Sequence, residues 1–147
     1  MPLWGGCDQY LTRGLQMIQN KAARVVTNLD WYTPTQVLLS QCGWLSVHQL
    51  SVYHSVVLVY KVLSSGQPLY LNSMFNQNYS RRTRQADMQL IRPSQTRAPS
   101  HELALDSFRW RALQEFNSLP LHIRSTSSLA KFKKLVKVWI MEQVPIM

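Results

Sequence analysis

Cysteine is scarce in this chain of 147 residues: Cys7 and Cys42 are the two present, too few and too far apart for a zinc site or a disulfide framework. A reducing intracellular compartment, nuclear or cytoplasmic, is the expectation that follows. Acidic residues are scarce as well, with 7 Asp+Glu against 16 Lys+Arg. The aspartates Asp8, Asp30, Asp87 and Asp106 each stand alone, so no neighbouring pair could hold the paired divalent ions of a polymerase or nuclease. The 4 histidines are scattered without the i, i+4 spacing of helical metal ligands. No phosphate loop G-x-x-x-x-G-K-[ST], nucleophile elbow G-x-S-x-G or zinc motif H-E-x-x-H occurs. Cys42 with His48 is a nominal nucleophile–base pair, but a buried structural cysteine is far commoner. The chain therefore reads as non-catalytic and without cofactor or metal. No apolar run reaches the roughly 18 residues that span a bilayer, and the N-terminus lacks the basic-then-apolar order of a signal peptide, so neither membrane nor export is expected.

What is present predicts a small, mostly α domain of about four to six helices with a long basic loop or a short β-ribbon. Apolar residues make up 46% of the chain, and 5 Trp with 6 Tyr argue against a disordered tail. Asp8 can cap a helix to about Asn28, with Leu11, Leu15, Ile18, Ala22, Val25 and Val26 as its buried stripe. Thr33–Pro34 has the form of an N-cap with proline at the first helical position, opening a short helix that ends near Gly43. Ser46 opens the most apolar segment, through Leu50, Tyr53, Val56, Val57, Tyr60 and Leu63 to Gly66–Pro68. Its valines would also suit a strand, but its length favours a helix, apolar nearly all round and hence central. Leu69 to Phe75 adds one more turn. After a proline-marked bend at Pro120 comes a last helix capped by Ser127, with Leu129, Phe132, Leu135, Val136, Trp139 and Ile140 on one face. A shorter helix with Phe108, Leu113, Phe116 and Leu119 precedes that bend. Three regions follow: an apolar helical half (1–75), a basic loop or ribbon (76–106) and a terminal helix pair (107–147). In the second region Met88-Gln89-Leu90 allows a short strand, paired with Glu102–Leu105.

The basic excess is uneven. Residues 1–75 hold Arg13, Lys21, Arg24 and Lys61 against Asp8 and Asp30, while the remaining residues hold twelve basic and five acidic ones, a net +7 of the total +9. Charge of this size suits nucleic acid or another anionic surface, although solubility alone also accounts for it. Arg81, Arg82 and Arg84 cluster in polar surroundings where each guanidinium can fork onto a phosphate. Arg109 and Arg111 flank Trp110, joining cation to stacking surface as in single-strand binders; a core tryptophan beside solvated arginines is the plainer reading. Lys131, Lys133, Lys134 and Lys137 line the last helix, where a solvated face is again the plainer reading. The pattern gives phosphate contact without base specificity.

Several short motifs occur in a fixed order: P-L-W-G-G at residues 2–6, I-Q-N-K-A-A-R-V-V-T at 18–27, G-W-L-S-V at 43–47 and Y-K-V-L at 60–63. R-R-T-R at 81–84, F-N-S-L-P-L-H-I-R at 116–124 and S-L-A-K-F-K-K at 128–134 complete the series. Over nearly its whole length the chain resembles the segment just after the polymerase core in LINE-type (non-LTR) retrotransposon reverse transcriptases. Phe116 departs from the tryptophan usual there but keeps an aromatic anchor, and the zinc-knuckle cysteines of some relatives do not occur. The resemblance implies a thumb-distal, C-terminal helical fragment of an RNA-directed DNA polymerase, with Met1 an internal methionine and the palm aspartates missing. It implies template RNA, primer and target DNA as partners, bound or positioned but not processed. A scaffold segment that packs on the polymerase domain of its parent, with no ligand of its own, is the alternative.

Overall fold

The computed structural model describes residues 9–73, 75–76, 92–93 and 108–143. Among them seven helices run in chain order: α1 (Gln9–Thr27), α2 (Thr35–Cys42), α3 (Val47–Ser65), α4 (Leu69–Asn72), α5 (Phe108–Ser118), α6 (Leu121–Arg124) and α7 (Leu129–Gln143). Two short strands, β1 (Phe75–Asn76) and β2 (Arg92–Pro93), pair antiparallel with Phe75 opposite Pro93. The fold is mostly α, as the periodicity predicts. The cap expected at Asp8, the strand expected over Met88–Leu90 with its partner Glu102–Leu105, and most of the arginine-bearing loop lie outside the described residues.

Local chemistry sets the helix ends. The Ser46 hydroxyl accepts the Gln49 N–H while the Gln49 side chain accepts the Ser46 N–H, a reciprocal capping box that starts α3. Gly43 and Gly66 close α2 and α3 at φ 62° and 68°, a conformation that costs a residue with a Cβ about 1 kcal/mol or more. Two expected caps move by one residue. Pro34 occupies the N-cap of α2 rather than its first turn, its carbonyl accepting from Leu38 N–H at 3.2 Å. In α7 the Ser128 carbonyl takes the first i+4 bond, from Phe132 at 2.9 Å, so Ser128 and not Ser127 precedes the helix. The bend at Pro120 holds a helix the periodicity does not reveal: α6 is one turn long, too short to show a period.

Helix α3 is central. Val52, Val56, Val57, Val59, Tyr60 and Val62 are buried, and so are the small polar Ser51 and Ser55. Helices α5 and α7 pack along it and close the main core with Leu113, Phe116, Leu119, Ile123, Phe132, Val136 and Ile140. At its middle the Phe132 ring stacks on Tyr60 at 4.0 Å and 17°, with Phe116 tilted at 6.4 Å. The Tyr60 hydroxyl donates to the Thr126 carbonyl at 2.6 Å, so the ring is buried without stranding its polar end.

Helix α1 departs from expectation in its facing. Ala23 is buried with Leu38 and Leu39 of α2, but Ile18, Val25 and Val26 are 65%, 83% and 66% exposed, and Leu15 and Ala22 are exposed too. At 100° per residue the inward face is turned by about 120° from the apolar stripe. Gln16, Gln19 and Asn20 lie inward instead. Gln16 accepts the Val47 N–H at 2.9 Å, Gln19 donates to the Leu45 carbonyl at 2.8 Å, and Asn20 donates to Thr35 Oγ1 at 2.9 Å. Gln16 also donates to the side chains of Gln19 and Asn20, which holds the row together. The bonds to Val47 and Leu45 serve backbone groups where the chain enters α3, and the one to Thr35 ties α1 to the first residue of α2. A backbone group left unpaired at the entry to α3 would cost about 1–3 kcal/mol. Leaving valines in water forgoes a gain but adds no cost relative to the unfolded chain, so the amide contacts decide the facing.

Replacing Phe132 by alanine should lower stability by about 3–5 kcal/mol in urea unfolding, because the stack with Tyr60 leaves no side chain free to fill the space. Val25→Ala should change it by no more than about 0.5 kcal/mol. A large loss at Val25 would contradict the facing of α1.

Candidate nucleic-acid interface

The amphipathic pattern of α7 places its cations. Phe132, Val136 and Ile140 are buried toward α3, which turns Lys131, Lys134 and Lys137 outward in one exposed row. That row points directly away from the core face and spans about 9 Å at 1.5 Å per residue. Val138 and Met141 lie beside it, 55% and 43% exposed. The one carboxylate of α7, Glu142, enters in its last turn. Lys137 Nζ also donates to the Gly43 carbonyl at 3.1 Å, tying the row to the end of α2. Lys133 is half-buried and turned about 100° from the row, at the margin of the core face.

The other expected cations divide. Arg81, Arg82 and Arg84 lie outside the described residues, and of Arg109 the backbone alone is described, within α5. Trp110 is half-buried. Arg111 is drawn inward: its Nε lies 3.7 Å from Glu115 Oε1 one turn along α5, and its side chain is 22% exposed. The expectation that Arg111 lies open to a phosphate gives way to a guanidinium shared with a carboxylate, because α5 turns this edge toward α3. Exposed cations among the described residues are Arg13, Lys21, Lys61, Lys131, Lys134 and Lys137, against Asp30 and Glu142 as exposed acids.

Where α3 meets α5, a polar cluster interrupts the apolar seam. Burial pushes the Glu115 carboxyl above the usual carboxylate range, against the opposing pull of Arg111 and of the Ser55 hydroxyl. His48 is lowered, first by burial and then by the Arg111 charge. Ser51 Oγ and Glu115 Oε2 are buried without a hydrogen-bond partner among the described residues. No group of three or more His, Cys, Asp or Glu among the described residues is placed to hold a metal ion, and no described helix is long and apolar enough to cross a membrane. This cluster and the amide row of α1 escape sequence reasoning, since their meaning depends on which helix faces which. The absence of any acid in α1 was the available hint that its polar face does not simply face water.

Compared with protein-family models, with curated proteins and with solved structures, the chain matches none.

The polar cluster generates a pH prediction with two signs. Folded Glu115 keeps its proton to higher pH than the unfolded residue at 4.5, so stability falls as pH rises from 4.5 through the raised value. Folded His48 loses its proton below the ordinary 6.5, so stability falls as pH drops from 6.5 through the lowered value. Chemical unfolding across this range should show the first slope weaken in Glu115→Gln and the second weaken in His48→Gln, where the part due to His54, also lowered by burial, remains. Unchanged slopes in both variants would dismiss the cluster as the source.

Proposed function

We propose that this chain is a non-catalytic, helical fragment that binds or positions RNA or DNA by sequence-tolerant phosphate contact. The observation that carries the reading is the row of Lys131, Lys134 and Lys137, exposed and opposite the core face of α7 with no carboxylate inside it. Three ammonium groups on one rigid helix track a phosphate backbone at little cost in ordering, because the helix already fixes their roots. Arg81, Arg82, Arg84 and Arg109 belong to the same reading, with Trp110 a stacking surface beside them. The resemblance to LINE-type reverse transcriptases supports it: the fragment would follow a polymerase domain and steady its template or target, with that domain as a protein partner in a nuclear or cytoplasmic setting. A scaffold role without a nucleic-acid ligand is the competing reading, and one titration separates them.

Fluorescence anisotropy with labelled single-stranded RNA and duplex DNA, at low and raised salt, should give binding that weakens steeply as salt rises. Changing Lys131, Lys134 and Lys137 to alanine should reduce the slope of log affinity against log salt by about 2–3, as for the loss of that many phosphate contacts. The same change at Arg81, Arg82 and Arg84 tests the loop. Absence of binding at low salt by a chain whose circular dichroism remains helical would leave the scaffold reading.

A further inference from the structure

Helix α1 and the turn after it present an apolar surface that no described residue covers. Ile18, Val25 and Val26 stand on its outward face, with Met17 58% and Tyr10 80% exposed further round the helix. At its end Trp31 and Tyr32 are 66% and 93% exposed. Trp31 does not hang free, because the Arg24 guanidinium stacks on its ring at 4.8 Å from the centroid. A large aromatic side chain already held in place loses little freedom when a partner arrives, and Trp, Tyr and Arg are the residues that dominate binding energy at protein interfaces. The inward amide row explains why this face is available. Gln16, Gln19 and Asn20 are committed to Val47, Leu45 and Thr35, so α1 cannot roll its apolar side inward without stranding those groups.

Charge selects the occupant. Helix α1 carries no carboxylate; of its cations Lys21 lies beside Ile18 and Val25 on the helix surface, while Arg24 lies over Trp31. A second copy would bring the same cations against themselves, on a chain of net charge +9. We propose that the outward face of α1, with Trp31 and Tyr32, docks a protein helix that has an apolar stripe flanked by carboxylates. The stripe covers Ile18, Val25 and Val26 while the carboxylates meet Lys21. This inference does not depend on the phosphate contacts of α7, which lie on another helix.

The probe is a labelled helical peptide of about five turns with leucines at i, i+3, i+4 and i+7 spacing and glutamates along both margins. A second peptide carries lysines in place of the glutamates. The full chain should bind the glutamate peptide and not the lysine peptide. Ile18→Gln with Val25→Gln should weaken that binding by about tenfold or more. Both positions are exposed, so the helical circular dichroism and the unfolding midpoint should stay near those of the parent. Lys21→Glu, which leaves the apolar face intact, should weaken the glutamate peptide and admit the lysine peptide. The proposal is overturned if neither peptide binds, if both bind equally, or if Lys21→Glu leaves the preference unchanged. It is equally overturned if sedimentation shows a dimer that the Ile18/Val25 change dissolves, or if vesicles of phosphatidylserine and phosphatidylcholine take the chain up through this face while the peptide does not. Loss of RNA binding in the α7 lysine variant with peptide binding retained would separate the two surfaces.

Discussion

The stack of Phe132 on Tyr60 is the contact on which the architecture turns. Tyr60 belongs to α3 and Phe132 to α7, and their contact brings the last helix onto the central one across about half of the chain. The tyrosine hydroxyl then reaches the Thr126 carbonyl in the turn that leads into α7, so one side chain fixes both the helix and its approach. With that face of α7 committed, the direction of its lysines follows. Their outward row is a by-product of aromatic packing on the opposite side of the same helix.

Much of this was legible in the residues. The helix start at Ser46, the glycines ending α2 and α3, and the aliphatic period of α7 all report chemistry that acts over a few residues, where sequence and structure are close to the same thing. The central place of α3 was legible too, because a helix apolar on nearly every side must be surrounded. Helix α1 was not. Its apolar period is genuine, but a period identifies a stripe and not what lies opposite it. Backbone groups at Leu45 and Val47 need partners, and that demand comes from residues far along the chain. The same limit hides the pairing of Arg111 with Glu115: beside Trp110 it looks like a cation offered to solvent, and only the approach of α3 turns it inward.

The candidate surfaces differ in how they are built. The lysine row sits on a helix held by large apolar residues, so its position is as firm as the core beneath it. The α1 surface sits on a helix held by amide hydrogen bonds and by Ala23, a contact with little apolar area. Each surface therefore inherits a different kind of foundation, and substitutions that loosen one need not loosen the other.

The amide-lined seam beneath α1 has a thermal consequence. Separating polar surfaces lowers heat capacity whereas exposing apolar ones raises it, so lifting α1 from Leu45, Val47 and Thr35 changes heat capacity far less than opening the core around Phe132. The main core weakens on cooling as its hydrophobic contribution fades, while the seam under α1 keeps nearly constant strength over the same range. Warm and cold conditions thus load the two halves unequally. Near freezing, the hydrogen-bonded corner holds its grip relative to the apolar bundle it is attached to.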